Sequence, residues 1–378
     1  MCAEESTSSG MGRRSVLLGG LAASAVAVQG LGSSPASAAP AARKPFSDTG
    51  TELVLLGTAA GPPPEPDRAG IASVLRVDGK NYLVDCGRSA VTNYFNVGLG
   101  FGELNSIFIT HLHADHIADY YNVFMLPGWG GGPEDRITQR VEVYGPGPAG
   151  ALQPAFHGRP VSTIDPADPT PGLADMTQRL IDAYAYSTNV FMRDSGIPDP
   201  RSLMEIHEIQ VPDVGADPLL KTAPPMQPFA VMEDDRVKVT AILVPHGPVF
   251  PAFAFRFDTE SGSVVFSGDT SLSDNVVRLA QGADVLVHEA VDLDALGQLP
   301  PVVADHIRDS HTSVTDVGGV AERAGVGTLV LSHLFPAAHS DVSPSRWRRL
   351  AQQGFGGRVI AGEDLMRIPV KRHAHARR

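Results

Sequence analysis

The stretch Ser106-Ile107-Phe108-Ile109-Thr110-His111-Leu112-His113-Ala114-Asp115-His116 decides the fold. Its first half is an apolar run of strand character, and its second half places four side chains of metal-ligand type within six residues. His111 and His113 alternate at the end of a strand, so they project to one side. Asp115 and His116 follow where the chain turns towards a helix, and they address a second, adjacent centre. One ion needs only three or four such ligands, so the surplus implies a second ion.

Three more residues of ligand type stand at strand ends further along. His246 follows Ala241-Ile242-Leu243-Val244-Pro245, Asp269 follows Ser263-Val264-Val265-Phe266-Ser267-Gly268, and His333 follows Leu329-Val330-Leu331-Ser332. An apolar strand that ends in one polar residue requires a partner for it, because an unpaired buried polar group is costly. Singly each would be read as a loop residue; together with the cluster they make a seven-residue set.

The rest of the chain alternates strand and turn signals. Glu52–Leu56, Ile71–Val77, Tyr82–Asp85, Val141–Tyr144, Val237–Val244, Phe253–Phe257 and Ser263–Ser267 read as strands. Then helices at Asp274–Ala280, Val314–Ala324 and Arg346–Gln353 alternate with strands at Val285–Val287, Thr328–Ser332 and Arg358–Ala361. Meanders followed by such alternation predict two sheets packed face to face with helices outside. Residues 145–235 differ: they are Pro-rich, carry one helical segment at Leu173–Arg193, and hold more than twice as many Asp and Glu as the five basic residues Arg159, Arg179, Arg193, Arg201 and Lys221. They are read as an inserted, lid-like segment.

The pattern resembles the metallo-β-lactamase superfamily, whose shared motif is His-x-His-x-Asp-His, over roughly Glu52 to Ile368 outside the acidic segment. The resemblance implies a four-layer αββα sandwich and two divalent ions, zinc by family habit. It implies that His111, His113 and His246 hold one ion, that Asp115, His116 and His333 hold the other, and that Asp269 bridges both. Closer similarity is to the ribonuclease Z and arylsulfatase-like branch, through Leu56-Gly57-Thr58-Ala59-Ala60-Gly61-Pro62, Arg68, Asp85-Cys86-Gly87, His288-Glu289-Ala290 and His311-Thr312-Ser313. The sequence departs from ribonuclease Z at Val291, where Thr is usual, and in reading His-Thr-Ser for His-Ser-Thr.

That likeness implies a hydrolase that attacks a phosphodiester or related anionic ester with metal-bound hydroxide. Asp115 would accept or orient its proton, His311 would serve the leaving oxygen or the anion, and Glu289 would orient His311. His288 is read as structural, and His306, His339, His373 and His375 as solvated loop or tail residues. A lactonase of the same fold, using one of Tyr120, Tyr121, Tyr184 or Tyr186, and a non-catalytic zinc-binding module are the alternatives.

Composition limits the partners. A net charge of −12 argues against a general nucleic-acid surface, which needs clustered Lys and Arg. Ribonuclease Z grips transfer RNA with a basic arm, whereas segment 145–235 here is acidic. A small-molecule ester is therefore the expected substrate, and a homodimer is left open. Of the two cysteines, Cys2 and Cys86, only Cys86 lies in the body of the chain, so no intrachain disulfide is expected there. Cys86 is read as a small buried residue.

Arg13-Arg14, a Gly/Ala-rich apolar run to about Val28 and Ala36-Ser37-Ala38 resemble a twin-arginine signal peptide over residues 1–38. The expected organisation continues with a linker at 39–49, a hydrolase domain at 50–370 and a basic tail at 371–378. Glu4 and Glu5 cancel Arg13 and Arg14, so the exported chain would keep the full net charge. No later stretch is apolar enough to span a membrane.

Overall fold

The computed structural model describes residues 45–126, 135–155 and 158–373, except the side chain of Gln298. The leader at 1–38, the start of the linker and the end of the tail lie outside the described residues. The strands are β1 (Thr51–Gly57), β2 (Ala72–Val77), β3 (Lys80–Val84), β4 (Leu104–Phe108), β5 (Val141–Pro146), β6 (Met204–Ile209), β7 (Phe229–Glu233), β8 (Val237–Leu243), β9 (Phe253–Thr259), β10 (Ser263–Phe266), β11 (Val285–Val291), β12 (Thr328–Phe335), β13 (Arg358–Ala361) and β14 (Met366–Val370). The helices are α1 (Ala90–Val97), α2 (Ala114–Ile117), α3 (Asn122–Met125), α4 (Leu173–Ala183), α5 (Ala185–Asp194), α6 (Asp274–Leu279), α7 (Pro301–Ser310), α8 (Val314–Ala324) and α9 (Pro344–Ala351).

The strands form two seven-stranded sheets, ordered β14-β1-β2-β3-β4-β5-β6 and β13-β12-β11-β10-β9-β8-β7. Each sheet joins an antiparallel half to a parallel half. Strand β1 shows why both faces are covered. Leu53 and Leu55 enter the core between the sheets, while Val54 and Leu56 enter a second core on the outer face of the first sheet. A strand buried on both faces reads as a continuous apolar run, and Leu53 to Leu56 is such a run. Residues of α1, α3 and α4 complete the outer core of the first sheet, and α6, α8 and α9 pack on the second. This is the αββα sandwich.

Three sequence expectations need correction. Segment 145–235 is not wholly an insertion: it supplies β6 and β7, one edge strand of each sheet. Strand β6, with Glu205, His207 and Glu208, lacks the apolar density that marked the others, because an edge strand has only one neighbour and is partly solvated. The helical stretch expected at Leu173–Arg193 is broken at Tyr184, which separates α4 from α5. The end of the linker is not free chain, since Phe46 packs beneath the guanidinium of Arg367, 3.7 Å from ring centroid to Cζ. Among the described residues no helix is long and apolar enough to cross a membrane.

Among the described residues the largest fully buried side chain is Trp347 on α9, 1% exposed. Trp347→Ala is expected to cost about 3–5 kcal/mol of stability through lost burial and a residual cavity. Urea unfolding of the full chain measures this; a midpoint matching the parent would overturn the packing assigned to α9.

Candidate metal centre

The parallel halves of both sheets point their C-terminal ends at one place. Asp85 follows β3, His111 and His113 follow β4, Asp269 follows β10, Glu289 ends within β11, and His333 lies near the end of β12. The antiparallel strand β8 delivers His246 to the same end. The seven residues of the sequence set converge there in two groups that share one member. His111, His113, His246 and Asp269 bring one donor atom each to within 4.8 Å of one another, and so do Asp115, His116, Asp269 and His333.

Asp269 stands at the middle. Its Oδ2 lies 3.2 Å from Nε2 of His116 and of His333, 3.8 Å from Nε2 of His246 and 3.9 Å from Nε2 of His111. Gly268 allows the turn that puts it there: its φ is +57°, and a Cβ would come within 2.5 Å of the Phe253 carbonyl oxygen. Gly61 plays a similar part on the opposite wall, where a Cβ would lie 2.3 Å from the Cβ of Asp115. The Gly57–Pro62 loop thereby closes directly over that ligand.

His333 reaches the cluster through a bulge. The pairing of β11 and β12 runs Glu289 with Ser332 and then Ala290 with Leu334, leaving His333 as the extra residue. Its φ is +46°, a left-handed conformation that a histidine adopts at a cost of about 1–3 kcal/mol. Asp85 also has positive φ, +57°. Such strain at two residues of one site is held by the surrounding sheet.

A layer of hydrogen bonds behind the donors fixes their orientation. The carboxylate of Asp85 accepts from the Thr110 amide at 2.8 Å, from Thr110 Oγ1, and from Nδ1 of His116 at 2.8 Å. Thr110 Oγ1, its proton given to Asp85, is 3.1 Å from Nδ1 of His111. Nδ1 of His246 donates to the Ser310 carbonyl at 2.9 Å, which leaves Nε2 as the lone-pair nitrogen when the ring is neutral. Asp85 was legible only as part of a motif; its role needed the fold, since it lies 25 residues from Thr110 and 31 from His116.

Electrostatics divides the set. Burial holds the pKa of His111 well below its ordinary value, lowers that of His113, and brings His246 down to about 3, so these rings are neutral and present lone pairs. For His116 burial acts in the same direction, but Asp269 and Asp85 outweigh it and raise its pKa. Burial would raise the carboxyls of Asp115 and Asp269, yet the facing imidazoles hold both low. The cluster is thus two carboxylates amid imidazoles. Its buried Nε2 of His111, Oδ1 of Asp269 and Nδ1 of His333 have no hydrogen-bond partner. Nε2 of His111 and Oδ1 of Asp269, buried acceptors without a partner in a site whose donors are all N and O, suit divalent cations.

Glu289 and His311 sit beside the second group. Oε1 of Glu289 lies 3.0 Å from Nδ1 of His311 and also accepts from the amides of Thr270 and Thr312. The His311 ring stacks on His333, with centroids 5.6 Å apart and planes at 15°. Burial opposes a proton on His311, but Glu289 overrides it and carries the pKa up to about 9. His288 turns its Nδ1 to the Glu289 carbonyl, 2.7 Å away, and is buried. Cys86 is buried as expected. His339 is a loop residue paired with Asp67. His306 differs from the expectation of a solvated loop: it lies on α7 and lines a groove that opens beside His113. Of the four tyrosines, Tyr120 bonds Thr177 in the outer core, Tyr121 packs with Tyr184, and none lines that groove.

The family described as "Anti-Pycsar protein Apyc1" matches residues 52–122. The chain is similar to the "Ribonuclease Z" of Mycobacterium bovis BCG, at 34% identity over 322 residues covering 84% of this chain and 98% of the relative. Among solved structures it is similar to human short-form tRNase Z, with a TM-score of 0.55 and 22% identity over 84% of this chain and 99% of that one. It is also similar to the metallo-β-lactamase fold protein YhfI of Bacillus subtilis, with a TM-score of 0.54 and 18% identity over the same shares of each. The solved structures share its fold; the sequence relative goes further, and on that likeness along nearly the relative's whole length the chain belongs to the ribonuclease Z family of metallo-β-lactamase-fold hydrolases.

Proposed function

We propose that this hydrolase is exported and cleaves a small phosphodiester, or a related anionic ester, with two divalent metal ions, zinc by the chemistry of the donors. The observation that carries this reading is the sharing of Asp269 between two four-residue donor groups. His111, His113 and His246 would hold one ion, Asp115, His116 and His333 the other, with Asp269 between them. Bound there, the ions supply Lewis acidity towards the ester oxygens and a water acidified towards neutrality.

The chain's own groups supply the rest. Asp115, whose Oδ2 lies 3.3 Å from Nε2 of His333, would orient the attacking water or accept its proton. His311 is held at Nδ1 by Glu289, which leaves Nε2 for the substrate; a protonated His311 can give that proton to the departing oxygen or hold the ester's negative oxygen. Glu289 acts as the positioning residue for His311. A phosphodiester is favoured over a sulfate because the ribonuclease named above cuts phosphodiesters. A lactone is disfavoured because no tyrosine lines the groove among the described residues. The net charge of −12 favours a small substrate over a nucleic acid.

A panel of bis(p-nitrophenyl) phosphate, p-nitrophenyl sulfate and an acyl-homoserine lactone tests the reading. The diester alone should be turned over, chelator should abolish the rate, and zinc should restore it. Protein purified without chelator should contain close to two metal ions per chain. Turnover of the lactone alone, or a saturated content of one or no metal, would overturn the assignment.

Asp269→Ala should lose metal and nearly all activity. His311→Ala should keep its metal and lose roughly 10²–10⁴-fold in rate. A near-parental rate in Asp269→Ala with unchanged metal content is the contrary result.

Export is supported by Arg13-Arg14, the apolar run and Ala36-Ser37-Ala38. The absence of any disulfide partner for Cys86 in the exported chain suits folding in a reducing compartment before translocation. Cleavage after Ala38 should leave Ala39 as the N-terminus of the external enzyme. The charge-preserving double change Arg13→Lys with Arg14→Lys should hold the precursor inside; unchanged secretion of that variant would show that the leader is no such signal.

A further inference from the structure

The groove beside the metal centre has a character that the reaction itself does not require. It runs from His113 between the 146–176 segment on one side and the loop after His246 together with α7 on the other, and encloses about 1100 Å³. That is the size of a small-molecule site with room well beyond one ester group. Its walls are largely apolar, with Leu112, Leu152, Val161, Ile164, Val249 and Phe250 the larger side chains. Three of these stand open to solvent: Leu152 is 54% exposed, Val161 65% and Ile164 88%. Apolar side chains gathered in the open beside a reactive centre mark a binding surface rather than scatter.

The charges point the same way. Among the described residues no Lys or Arg lines the groove; its ionisable groups are His113, His306 and Asp309. A second phosphate on the substrate would meet no cation there and would face a carboxylate. A nucleic-acid strand, which is held through its phosphates, would find nothing to grip.

We propose that this groove binds an uncharged, apolar arm of the substrate, an alkyl or aryl ester substituent of about six carbons, with the scissile ester at the His113 end. This deepens the phosphodiester reading and rests on it. His306 and Asp309 on α7 form the polar rim, and the 146–176 segment provides the apolar wall. Segment 145–235 then sets specificity through its apolar residues, while its acidic residues lie elsewhere on it and repel polyanions.

The test is a series of p-nitrophenyl phosphodiesters whose second ester group is methyl, butyl or hexyl, with thymidine 5′-(p-nitrophenyl phosphate) beside them. Burying a methylene is worth about threefold in affinity, so kcat/KM should rise at least tenfold from methyl to hexyl, mainly through KM. Leu152→Ser combined with Ile164→Ser changes two exposed side chains without touching the core and should reduce the hexyl-to-methyl ratio at least threefold. A ratio near one, a ratio unmoved in the variant, or a preference for the thymidine ester over the hexyl ester would overturn the apolar arm while leaving the diesterase reading intact. Absence of turnover across the series would instead sink the diesterase reading. Titration calorimetry with monohexyl and monomethyl methylphosphonate then decides the groove on binding alone. At least tenfold tighter binding of the hexyl ester, with a more negative heat-capacity change, is expected; equal affinities would overturn the inference.

Discussion

The carboxylate of Asp269 is the point on which the structure turns. It is 3% exposed, and a charge taken so far from water costs several kcal/mol unless it is compensated. Four imidazoles surround its Oδ2 within 3.9 Å; two of them, His111 and His246, are pushed by burial towards their neutral forms, and the one whose pKa is raised, His116, is shared with Asp85. Neutral rings cannot fully repay a buried carboxylate. A cation held between lone pairs and carboxylates can, and this requirement explains why so many polar groups are gathered where two apolar sheets meet.

The sandwich supplies what that arrangement needs. Parallel strands from two sheets end at a common edge, so residues distant in sequence are delivered to one place on backbone too well packed to drift. The bulge at His333 and the left-handed turns at Asp85 and Gly268 are departures from regular backbone at that edge. They are sustained by cores on both faces of the sheets. Asp85, Thr110, Ser310 and Glu289 form a supporting layer that fixes which ring nitrogen faces inward, so donor geometry is set before any ion arrives.

Around this fixed centre the variable part is the segment at 145–235. It starts in β5 and its later part is tied into the sheets as β6 and β7, while residues between β5 and α4 line the groove. A scaffold shared across a family keeps the chemistry constant in this way, and the loops that wall the centre choose what enters.

Legible in the sequence alone were the seven candidate ligands and the αββα architecture, because an apolar strand ending in His or Asp is locally conspicuous and strands buried on both faces are continuous apolar runs. Helix α8 was legible to the residue, since Ser313 caps its start and Gly325 ends it. Helices α1 and α7 and strands β6, β7 and β14 were not: they are short, and β6 and α7 carry few apolar residues, so packing rather than propensity holds them in place. The sequence likewise could not separate Asp85 from an ordinary strand-end aspartate, place His306 at a groove, or show that His333 sits in a bulge. Those facts depend on which strands lie side by side and in what register, and register is a property of long-range burial and pairing that no local stretch of residues encodes.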